Sequence, residues 1–156
     1  MYGVSKITVT EEVALITINK VSANLNLLAD VLKSFSDAEI NIDMISQSAP
    51  QGNNVNYSFS VSSEDIVNVL SICNNLKQRY GSIKPMVISG NCKIQLYGEE
   101  MREMHGVAAR AISAIADTGI ELTLVTTSEV DISLLVTNSH ISDAVAALEK
   151  AFNIKA

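Results

Sequence analysis

Aromatic residues make up only 4% of this 156-residue chain, cysteines number two, and 11 Lys and Arg are outnumbered by 17 Asp and Glu. Each scarcity excludes something. With so few rings, the core has to be built from Val, Ile, Leu and Ala. A net charge of −6 argues against nucleic acid and against anionic membranes, because phosphate binding needs clustered Lys and Arg. Cys73 and Cys92 lie far apart and form no CxxC pair, so each reads as a free buried thiol. No apolar run approaches the roughly 20 residues of a membrane span. The opening MYGVSKITVTEE lacks the charged head and apolar run of a signal peptide, so the expected location is the cytoplasm.

Catalytic chemistry is equally sparse. The two histidines, His105 and His140, fall in a loop and at a helix start, with no nucleophile or paired carboxylate close in sequence. There is no phosphate-cradling glycine loop, no metal-spaced His/Cys cluster and no nucleophile elbow. No cofactor, metal or catalytic residue is expected, nor any catalytic activity from this chain alone.

What is present is a globular composition, 47% hydrophobic and 18% charged. A chain of this length can bury roughly two-thirds of its unfolded surface, in one domain or two small ones. Val4–Thr10 alternates as a strand, Glu11-Glu12 reads as a charged turn, and 13–18 as a second strand. Leu27, Leu28, Val31, Leu32 and Phe35 form a helical stripe. Strands are expected over 41–48 and 56–61, separated by the turn cluster Pro50-Gln51-Gly52-Asn53-Asn54. A helix starts at Ser63-Glu64-Asp65 and carries Ile66, Val69, Leu70, Cys73 and Leu76 on one face. Strands at 83–88, with Pro85 marking an edge, and 93–97 flank a turn at Ser89-Gly90-Asn91.

After His105-Gly106, the residues Val107, Ala111, Ile112 and Ile115 recur at helical spacing, and Gly119 stands where a left-handed C-cap residue is usual. Leu122, Leu124 and Val125 read as a strand, Thr127-Ser128-Glu129 as a turn. Asp131–Val136 alternates as a half-buried strand. Ser139 is expected to cap a last helix with Ile141, Val145, Leu148 and Phe152 inward.

The pattern repeats. Asp37-Ala38-Glu39-Ile40 precedes Asp117-Thr118-Gly119-Ile120 by 80 positions. Each copy reads strand, helix, strand, strand, helix, and the first adds a fourth strand, as in a βαββαβ ferredoxin-like fold. The second copy ends too early for its fourth strand, while Val4–Thr10 is a spare. A sheet lacking a strand exposes a pairing edge, so the N-terminal strand is expected to complete the second sheet. The fold class is α+β, with domains at 13–89 and at 4–10 plus 92–156.

Gly106-Val107-Ala108-Ala109, Ile120-Glu121-Leu122 and, most specifically, Thr126-Thr127-Ser128-Glu129-Val130 resemble the second ACT domain of an aspartokinase regulatory region. Asn41-Ile42-Asp43-Met44-Ile45 followed by Gln47 is similar to the partner domain, so the resemblance covers nearly the whole chain. It implies tandem ACT domains that bind a free amino acid, lysine or threonine. It further implies a homodimer and an aspartokinase catalytic domain or subunit as partner. The Lys-Phe-Gly-Gly start of the family's kinase domain is absent.

In such a site, helix-terminal N–H groups meet the ligand carboxylate, and carbonyls and a side-chain carboxylate meet its ammonium. Carried over by position, the first pocket would use Ala23, Asn24, Asn26, Asn41, Ile42, Asp43 and Gln47. The second would use Met104, His105, Gly106, Val107, Ala108, Glu121, Leu122, Thr123, Ser128 and Glu129. The chain departs from the family in having Leu25-Asn26 for a Pro-Gly pair, and His105 for a proline. A tandem module that dimerises or docks without a small ligand is the alternative reading. An RNA-binding domain of like topology would need exposed aromatic and basic residues on its sheet.

Overall fold

The computed structural model describes residues 2–81 and 83–156. Six strands and four helices follow the order β1 (Lys6–Ser22), α1 (Leu25–Asp37), β2 (Ile45–Gln47), β3 (Asn54–Ser62), α2 (Ile66–Tyr80), β4 (Pro85–Tyr97), α3 (Val107–Asp117), β5 (Leu124–Thr127), β6 (Asp131–Thr137) and α4 (Ile141–Phe152). Contacts divide the chain into two units, Glu12–Ser89 and Met1–Glu11 with Gly90–Ala156. Among the described residues, no helix is long and apolar enough to cross a membrane.

In the unit Glu12–Ser89, the strand order is β2-β3-β1-β4. β1 and β3 run antiparallel from Val13↔Ser62 to Ser22↔Asn54, and β2 adds to β3 through Ile45↔Phe59. Every second residue of these strands, Ala14, Ile16, Ile18, Tyr57, Phe59 and Val61, joins Leu27, Val31 and Phe35 of α1 and Val69, Cys73 and Leu76 of α2 in one core. α1 begins because the Asn24 side chain accepts from the Asn26 N–H at 2.9 Å. It ends in a Schellman turn. Glu39 adopts φ +58°, its N–H donates to Ser36, and the Ile40 N–H donates back to Phe35 at 2.8 Å.

In the other unit the order is β1-β4-β6-β5. β4 pairs β6 antiparallel from Asn91↔Thr137 to Tyr97↔Asp131, and β5 pairs β6 through Val125↔Leu134. Its core joins Val4 and Ile7 to Ile94, Leu96, Leu134 and Val136, under Val107, Ala111 and Ile115 of α3 and Ala144, Leu148 and Phe152 of α4. The Ser5 N–H donates to the Tyr97 carbonyl at 2.7 Å.

Several sequence readings change. Glu11-Glu12 and Ser89-Gly90-Asn91 do not reverse the chain: β1 and β4 run through both places as single strands. Glu12 (φ +59°) and Gly90 (φ +73°) take left-handed conformations there, which admits a kink without a turn. The strand expected over 41–48 shortens to Ile45–Gln47. β6 is covered on both faces, since Ser133 and Leu135 are buried along with Leu134 and Val136. Leu70 and Ile112 are exposed rather than core residues. Ser139 lies in a short 3-10 turn, Asn138–His140, and α4 has no side-chain cap. Both cysteines are buried, and the Cys92 thiol donates to the Asn138 side-chain oxygen at 3.0 Å.

Candidate functional site

Between β4 and α3 the chain makes a short 3-10 turn, Glu99–Arg102, then a loop that ends on Gly106. Gly98 fixes where this segment passes. A Cβ on it would lie 1.7 Å from the Gly3 carbonyl oxygen, so only glycine lets the two stretches of backbone cross. Gly106 enters α3 with φ +84° and no side-chain cap, leaving the helix's first N–H groups without an intrahelical partner. Nothing lies within 4 Å of where its Cβ would be.

Facing this loop is the β5–β6 turn. The Ser128 hydroxyl donates to the Asp131 carboxylate at 2.8 Å and accepts from the Val130 and Asp131 N–H groups, each at 3.2 Å. Gln95 holds the other Asp131 oxygen at 2.8 Å. Ser128 is thus spent on shaping the turn, and the shape presents Glu129.

A cavity of about 620 Å³ opens between loop and turn. It is lined by Met104, His105, Gly106, Val107 and Ala108 on one side and Thr127, Ser128 and Glu129 on the other, with Met101, Arg102, Glu103 and Ile132 completing it. Arg102 donates from Nε to Glu99 at 3.2 Å and from Nη1 to Glu129. Tyr97 donates its hydroxyl to Glu99 at 2.7 Å. That hydrogen bond first, and the one from Arg102 second, hold the Glu99 carboxyl below the usual glutamate range. Glu99 in turn raises the Tyr97 phenol and strengthens the hold of Arg102 on its proton.

The structure therefore gathers Met104, His105, Gly106, Val107, Ala108, Ser128 and Glu129, and leaves Glu121, Leu122 and Thr123 outside the lining. Thr123 instead donates its N–H to the Leu135 carbonyl at 2.8 Å and its hydroxyl to Asn91 at 3.2 Å, while Leu122 packs on the core and Glu121 is exposed. Sequence reasoning misses Arg102, whose only signal is to be the lone cation in Glu99-Glu100-Met101-Arg102-Glu103.

The first-copy candidates are less concerted. Ala23 and Ile42 rest on the core of their unit. Asn24, Asn26, Asn41, Asp43 and Gln47 are exposed. Asn24 is committed to capping α1, and Asn26 lies inside its first turn rather than in a left-handed bend. The Asp43 N–H donates to the Ser60 carbonyl at 3.1 Å, and Gln47 pairs with Tyr57.

Residues 94–152, which hold the whole cavity lining, match the ACT domain family model. This stretch is similar to the ACT domain family, within an α+β chain of ACT-like fold. The chain resembles aspartokinases over nearly all its length. It is 31% identical to the aspartokinase of Bacillus sp. (strain MGA3) over 146 residues, which is 92% of this chain and 35% of the relative. It is 28% identical to that of Pseudomonas aeruginosa over 153 residues, 98% of this chain and 37% of the relative. The chain thus spans little more than a third of these curated relatives. A crystal structure of aspartokinase alpha and beta subunits matches with TM-score 0.87 at 28% identity, covering 97% of this chain and 99% of that one. The ligand-free regulatory subunit of aspartate kinase from Thermus thermophilus matches at 0.87 with 22% identity, covering 96% and 99%, a likeness of fold.

Proposed function

We propose that this chain is the regulatory, amino-acid-binding module of an aspartate kinase, with lysine or threonine as effector. It comprises two ferredoxin-like ACT domains, 13–89 and 4–10 plus 92–156, the N-terminal strand completing the second sheet. Two copies pair, and the pair acts in the cytoplasm on a kinase domain or subunit. The module carries no phosphoryl-transfer chemistry of its own. The observation that carries this reading is the cavity between the Met104–Ala108 stretch and Ser128-Glu129, inside the stretch matched to the ACT family. Control works by population shift: the effector binds one arrangement better and draws the kinase toward it. A tenfold preference, about 1.4 kcal/mol, is enough to be felt.

The test is thermal unfolding in the presence of each of the twenty amino acids. A ligand at 100 times its dissociation constant adds about 2.7 kcal/mol, a rise of roughly 5–11 °C for a chain of this size. The expected outcome is a rise with lysine or threonine and none with the rest.

A second reading, a dimerising or docking module without a small ligand, draws support from the first copy. There the Asn24 side chain is used on its own helix, and Leu25 stands 66% exposed in the first turn of α1. No rise with any amino acid would favour it.

A further inference from the structure

The cavity beside α3 is bridged by an ion pair whose two members both line it. Arg102 comes from the chain before α3 and Glu129 from the β5–β6 turn, so the pair ties one wall to the other. The two partners are held very differently. Arg102 is fixed along one edge by Glu99, which Tyr97 fixes in turn. Its guanidinium is thus oriented from behind, with Nη1 on Glu129. Glu129 has a side chain 78% exposed, on a turn whose hydrogen bonds are made by Ser128 and Asp131. An exposed pair of this kind is worth only about 0–1 kcal/mol, so it yields readily to a better-matched partner.

A ligand entering between the two groups meets a guanidinium and a carboxylate at once. An anion alone would take Arg102 and leave Glu129 without its partner. A cation alone would do the reverse. A zwitterion leaves neither unpaired. We propose that a free amino acid enters by partner exchange, its carboxylate taking Nη1 of Arg102 and its ammonium taking Glu129, so that two intermolecular ion pairs replace one intramolecular pair. The exchange rests on the amino-acid reading of this site and adds Arg102 as the residue that selects for a free carboxylate. Because the original pair spans the cavity, loading it replaces the direct Arg102–Glu129 tie with one through the ligand, while the Gly98 N–H to Val130 carbonyl bond at 2.9 Å still holds the β5–β6 turn to the chain before α3.

The test is calorimetric titration of the full chain with L-lysine, L-threonine and their carboxamides. Wild type should bind one of the two acids and prefer it to its carboxamide by about tenfold or more, the worth of a charge-assisted contact. Arg102→Gln should bind the acid about tenfold more weakly and lose the acid-over-amide preference, with an unchanged ligand-free melting temperature. Arg102→Lys, which keeps the charge, should retain part of the preference. Wild-type binding with the preference intact in Arg102→Gln overturns the exchange and leaves the amino-acid reading standing. Tighter binding by Arg102→Gln also overturns it, because the pair would then only obstruct the cavity. Absence of binding by wild type to either acid removes both readings together.

Discussion

Gly98 has an ordinary extended φ of −172°, so nothing about its own backbone demands glycine. The demand comes from Gly3, whose carbonyl oxygen sits 1.7 Å from where a Cβ would be, with Val4 Cα at 3.0 Å. Both neighbours are backbone and cannot swing aside. Gly98→Ala is therefore expected to destabilise the chain by about 3 kcal/mol, read as a lower urea midpoint, whereas Gly106→Ala meets no atom and suffers only its left-handed φ. Tyr2 adds to the anchoring of this segment, with Arg110 stacked over its ring at 3.9 Å. At this scale the sequence is partly readable. Gly106, Ser128 and Glu129 stand out by resemblance, but Arg102 and Gly98 act through segments distant in the chain. No local pattern announces such partners.

Helices are easier to read than strands, for a physical reason. Leu27, Val31 and Phe35, or Ala144, Leu148 and Phe152, recur every four residues and meet a core on one side only. A strand has two faces, and both can be covered: Leu15 and Ser60, like Leu135 and Ser133, are buried opposite the helix-packed side. Alternation then under-reports burial. Kinked strands are harder still, because Glu11-Glu12 and Ser89-Gly90-Asn91 have the composition of turns yet lie inside β1 and β4. The two copies of the helix-ending turn offer a test. Gly119 takes φ +78°, while Glu39, its counterpart 80 positions earlier, takes φ +58° with a side chain attached. A left-handed conformation costs a non-glycine residue about 1 kcal/mol. Glu39→Gly should therefore raise the unfolding free energy by up to about that amount, less the backbone entropy glycine adds to the unfolded chain, read as a higher midpoint of chemical unfolding with an unaltered far-ultraviolet spectrum.

For the whole molecule, the decisive feature is that one unit is continuous in sequence and the other is not. Glu12–Ser89 contains its own core, whereas the unit bearing the cavity is assembled from Met1–Glu11 and Gly90–Ala156. Val4 and Ile7, from the first piece, are buried in the core of the second. Deleting residues 2–10 should expose that core and leave a bare edge on β4. The expected hydrogen-exchange result is loss of slow amides in α3, β6 and α4, with those of β3 and α2 retained. In the sequence, the repetition of the pattern and the shortness of the second copy are what point toward two units.

The interrupted unit also imposes a schedule on synthesis. A ribosome adds about 5–20 residues per second, so the strand holding Val4 and Ile7 waits several seconds before the partner it needs, β4 with the helices and strands beyond it, has been made. During that interval Val4 and Ile7 have no core to enter. The continuous unit, meanwhile, has everything it requires once Ser89 is clear of the tunnel. The nascent chain is thus committed to an order of events, in which an early-made strand is among the last to find its place, and the cavity, whose loop crosses Gly3 at Gly98, cannot take shape until the β5–β6 turn has emerged.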